Sequence, residues 1–111
     1  MQKASLLNNI TYKENNKPTI TVLFETAHTK EIRIVMKEGQ FMKEHKAPFP
    51  IVIEIFEGEI TFGINGEKQV LSKGDIISLQ GNVPHDLTCT VDCIIRLSIS
   101  VLDHVDRVNK V

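Results

Sequence analysis

The stretch Gly74–His85 (GDIISLQGNVPH) constrains this chain more tightly than any other. It joins a turn at Lys73-Gly74-Asp75 to a short apolar strand over Ile76–Leu79. A second turn follows at Gly81-Asn82, and a proline then delivers a histidine. Gly and Asn tolerate positive φ, while Pro84 fixes its own φ and holds Val83 extended. His85 therefore enters a new strand from a defined backbone. Imidazole is the commonest metal ligand and titrates near neutral pH, so a histidine placed in this way marks a candidate site.

The rest of the chain repeats the same alternation of short strand and turn. Thr19–Phe24 (TITVLF) and Glu31–Met36 read as β-branched strands flanking a turn at Ala27–Lys30. Lys37-Glu38-Gly39 turns the chain into an extended segment over Gln40–His45, with Met36 and Met42 on either side as core candidates. Pro48 and Pro50 then break any ladder, since neither can donate a hydrogen bond. In Ile51–Phe56 the residues Ile51, Ile53 and Ile55 share one face and Glu54 the other. Glu57-Gly58-Glu59 bends into Ile60–Ile64, and Asn65-Gly66 predicts a type I′ hairpin to Glu67–Leu71. His85–Thr90 and Cys93–Val101 close the series, with Arg96, Ser98 and Ser100 on a polar face. About nine short strands and no long helix leave an all-β sandwich or barrel. The polar arm 1–18 precedes the barrel residues 19–101. The tail 102–111 has Leu102, Val105 and Val108 at helical spacing, which predicts a docked arm or short helix.

Composition narrows the function. One domain is expected of 111 residues, and 13 basic against 14 acidic side chains give a net charge of −1. That balance lacks the basic excess of a nucleic-acid binder. No run reaches the roughly 18 apolar residues that cross a bilayer, and MQKASLLNNITYKENNKP has no apolar core of signal-peptide length. A cytoplasmic protein with no membrane or nucleic-acid partner is expected. Cys89 and Cys93, spaced C-x3-C, match neither a redox C-x-x-C nor a four-ligand zinc pattern, and read as small apolar residues.

Over residues 30–100 the chain resembles the cupin superfamily of jelly-roll (double-stranded β-helix) barrels. Gly39, His45 and Gly58 fall at positions of that family's first motif, and Gly74, Asp75, Pro84 and His85 at positions of its second. The departures concern the metal ligands. Ala47 stands at the second histidine of the first motif and Ile51 at its glutamate. In the second motif Gln80 replaces proline, Gly81 is the displaced glycine, and Cys89 takes the asparagine position. Of three histidines and one glutamate, His45 and His85 remain.

Two readings follow from the resemblance. In the first, the barrel binds a small molecule that His45 and His85 orient at its mouth, with Phe49, Ile51 and Cys89 as walls. In the alternative, a metal-dependent dioxygenase, lyase or isomerase holds zinc, iron, nickel or copper through His45 and His85, with Cys89 as a third ligand on the same strand face. Glu44 and Glu54 have the wrong strand parity to join, and His28 and His104 read as surface residues. Whether the interior is a pocket or a filled core stays open at this level. Cupins commonly pair through their sheets, so a homodimer is expected. A purely structural or regulatory partner role is the third possibility.

Overall fold

The apolar alternation of the sequence closes into a barrel because each strand has one face to bury. The computed structural model describes residues 1–13 and 15–111. Its strands are β1 (Thr19–Glu25), β2 (Thr29–Met36), β3 (Phe41–His45), β4 (Ile51–Ile64), β5 (Glu67–Ser72), β6 (Ile76–Leu79) and β7 (His85–Ser100). A short helix, α1 (Val105–Asn109), ends the fold. All pairings are antiparallel, in the order β1-β2-β7-β4-β5, with β3 on β7 and β6 on β4.

Among the described residues seven strands stand where the alternation predicts about nine, because two pairs of segments are continuous. The bends at Glu57–Glu59 and Val91–Asp92 are register shifts within one β4–β7 ladder, and they do not end it. Gly58 makes this possible. It adopts φ +84, and a Cβ there would stand 2.7 Å from Cys93 Cα, so no side chain fits between the two backbones. The long strands β4 and β7 thus serve both halves of the roll. One half is β1-β2-β7-β4-β6, and the other is β3-β7-β4-β5.

The interior is aliphatic. Ile32, Ile34 and Met36 of β2 meet Ile53 and Ile55 of β4 and Ile95, Leu97 and Ile99 of β7, all buried. On the outer face Arg96 donates to Glu54 (2.7 Å) and Glu31 (3.0 Å), and Ser98 donates to Glu31 (2.7 Å). The polar face of β7 is therefore satisfied by its neighbours outside the barrel. Arg33, also outward but buried, donates to the backbone carbonyls of Asn8 (2.6 Å) and Asn9 (3.2 Å). That guanidinium holds the N-terminal arm against the sheet of its own chain. No helix is long and apolar enough to cross a membrane among the described residues.

Candidate functional site

Two loops bring the site histidines together. His45 ends β3, His85 begins β7, and the two are direct cross-strand partners. The loop after His45 and the loop before His85 are bonded to each other, Asn82 N–H donating to the Ala47 carbonyl at 2.6 Å. Asn82 adopts φ +65, a conformation Asn tolerates through its short polar side chain. Gly81 lies so close to the Pro48 carbonyl that a Cβ would stand 2.8 Å from its oxygen. The turn read from the sequence thus fixes both histidines, not His85 alone.

The rings lie with centroids 4.3 Å apart and planes at 60°. Phe62 stacks on His85 at 5.6 Å and 22°. Each Nδ1 faces a backbone carbonyl two residues earlier: His45 to Lys43 at 2.6 Å and His85 to Val83 at 2.9 Å. A carbonyl can only accept, so each Nδ1 carries the proton and each neutral ring presents Nε2 as an unprotonated acceptor. Burial is the main force lowering both pKa values below the ordinary histidine value. For His45 the neighbouring His85 and then Arg107 add to it, and for His85 Arg107 does, against raising contributions from the backbone hydrogen bonds and the Asp86 carboxylate. Both imidazoles are therefore held neutral near pH 7.

Beneath them lies a cavity of ≈ 20 Å³, with room for about one water molecule. Its apolar lining is Ile34, Met42, Ile51, Ile53, Leu87, Ile95 and Leu97. The fourth side is α1, which presents Arg107 and the buried Val108. A latch holds α1 there: Arg107 donates through Nε and Nη2 to the two carboxylate oxygens of buried Asp103, at 2.9 and 2.8 Å. Lys30 Nζ donates to the Asp103 carbonyl at 2.6 Å.

Of the sequence-predicted site residues, His45, Ile51 and His85 meet at this cavity, whereas Phe49 and Cys89 do not line it. Phe49 sits half-buried in the loop between β3 and β4. Cys89 shares the inward face of β7 with His85, but four residues of strand separate their backbones by about 13 Å. Its thiol is turned instead to the carbonyls of Val91 (3.2 Å) and Met36 (3.6 Å). Burial raises its pKa, and raises that of Cys93 further, so both are inert thiols of the core. Glu54 faces outward as its parity requires, and His28 and His104 are exposed.

The site's fit to a metal follows from its donors. His45 and His85 offer ligation-competent Nε2 atoms, but catalytic zinc sites use three protein ligands and structural ones four. Among the described residues no third His, Cys, Asp or Glu converges on the pair. A resident divalent ion does not fit this donor set. Arg107, which the sequence reading passed over, is the third polar group of the cavity. Its one sequence signal is Asp103 four residues earlier, the spacing of a helical ion pair.

Comparison with known proteins places the architecture. No family model matches the chain, and no curated protein matches it. Solved structures do. A cupin superfamily protein from Desulfitobacterium hafniense is similar at 14% identity over 83% of this chain and 84% of that one, with a TM-score of 0.74. An RmlC-like cupin protein from Desulfovibrio desulfuricans gives 18% identity over 90% and 97%, with a TM-score of 0.76. An uncharacterised conserved protein with a double-stranded β-helix domain from Klebsiella pneumoniae gives 20% over 90% and 89%, with a TM-score of 0.77. The chain has the cupin fold. At these identities the likeness carries the barrel and no activity.

Proposed function

We propose that this barrel binds a small organic molecule at its mouth, where His45 and His85 accept hydrogen bonds from it without a resident metal. One observation carries the reading. Two imidazoles with their Nδ1 protons committed to backbone carbonyls, and Nε2 left free on each, line a mainly aliphatic cavity beside Arg107. A few convergent polar groups on apolar walls are the usual make-up of a small-molecule site. A filled core has no use for two oriented acceptors without partners. The cavity has room for about one water, so a larger ligand enters with a shift of α1.

The test is a screen of small hydroxyl- and amide-bearing compounds against uniformly 15N-labelled protein, read at the imidazole nitrogens. Binding is expected to shift both Nε2 resonances and to raise thermal stability by mass action. Both effects should vanish in His45→Ala and His85→Ala. A screen in which no compound perturbs either imidazole overturns the reading.

A further inference from the structure

Arg107 is the charged group of the cavity, and its geometry says what kind of ligand the two histidines receive. Its Nε and Nη2 are committed to Asp103, which turns the guanidinium edgewise and leaves Nη1 without a hydrogen-bond partner among the described residues. Arg107 lines the same cavity as His45 and His85. Among the described residues no carboxylate lines it. Asp103 lies on the far side of the guanidinium, and Asp86 has its carboxylate against Gly63, away from the barrel axis. Among the described residues the polar inventory of the mouth is thus one fixed positive charge with an open N–H donor, beside two neutral acceptors.

We propose, building on the binding reading above, that the ligand is a small carboxylate that also carries a hydroxyl or N–H donor. Its anionic oxygen accepts from Arg107 Nη1, a charge-assisted bond of the stronger kind. Its donor group meets the Nε2 atoms of His45 and His85. A carboxylate without a donor leaves the two acceptors unpaired, and a neutral donor leaves the guanidinium unanswered. Arg107 is then the residue that sets specificity, and it is delivered by α1. The element that must shift for entry therefore also carries the contact that holds the ligand. The Asp103 bonds preorganise that contact by fixing the guanidinium plane before the ligand arrives.

Three probes of nearly equal size separate the contributions: glycolate (carboxylate and hydroxyl), glycolamide (hydroxyl without charge) and methoxyacetate (carboxylate without donor). Each is titrated into the full chain, with shifts read at the two imidazoles. Glycolate is expected to bind at least about tenfold more tightly than either analogue, the worth of one hydrogen bond to a charged group. In Arg107→Gln the glycolate-to-glycolamide preference should fall to near unity. Wild-type protein that binds glycolamide as well as glycolate overturns the carboxylate assignment and leaves the histidine site standing. Methoxyacetate equal to glycolate overturns the need for a donor. If none of the three moves either imidazole, this inference is overturned, while the binding reading is still decided by its own screen.

Discussion

His45 lies directly opposite His85 across the β3–β7 ladder only because β3 carries an extra residue between Met42 and His45. Met42 pairs with Leu87 and His45 with His85, so three residue steps on β3 match two on β7. Met42 is buried and inward. In a regular strand the third residue after it points out. The bulge absorbs one residue at Lys43-Glu44, both exposed, and returns His45 to the inner side. The two acceptors of the site thus depend on a local irregularity of one strand.

That arrangement makes the tautomers a direct expectation. Long-range 1H–15N spectra at neutral pH should show both His45 and His85 with Nδ1 protonated and Nε2 bare, and both should titrate below 6.5. Nε2–H tautomers in the free protein contradict the geometry.

The same lowered values link stability to pH. Above the unfolded value of 6.5 the histidines are neutral in both states and their contribution is complete. As pH falls from there through the lower folded values, the unfolded chain takes up protons first and stability is lost. Denaturant unfolding across about pH 7.5 to 5 should show this decline, and His85→Gln should flatten it. A wild-type stability that rises as the pH drops through this window contradicts the sign.

The Asp103 latch should be worth measuring apart from the site. Burial opposes ionisation of Asp103, but the Arg107 hydrogen bonds and the His104 N–H outweigh it and hold its pKa below 3.8. A helix of five residues does not persist by itself. Asp103→Ala removes its anchor and should cost about 1–3 kcal/mol, with faster amide exchange over Val105–Asn109. Unchanged exchange there contradicts the latch.

Gly58 is the strictest backbone position. Gly58→Ala places a methyl against the β7 backbone at a positive φ, and the strain alone is worth about 1–3 kcal/mol. The loss of unfolding free energy should exceed that. Gly66→Ala, also at positive φ but with nothing within 4 Å of the added methyl, should cost less. Equal losses at the two positions would show that φ, not the close approach of β4 and β7, dominates.

The barrel was legible because strand alternation and turn chemistry are local. Asn65-Gly66 forms with both residues at positive φ, and the Ile51, Ile53, Ile55 face is buried as read. What escaped depends on distance and on partners. Cys89 shares a face with His85, but parity carries no information about separation along the strand. The resemblance sets Phe49 on the pocket wall, whereas between Pro48 and Pro50 it lies in a loop. Arg107 escaped because its role exists only once the tail folds back across the mouth.

On the reading proposed above, the two oriented histidines serve as acceptors and not as half of a metal centre. Elemental analysis of tag-free protein, before and after incubation with zinc, iron, nickel and copper, tests it most directly when run beside His45→Ala and His85→Ala. Metal well below one equivalent per chain is expected in all three proteins, with the variants folded. Close to one equivalent in the wild type, lost in both variants, would contradict it.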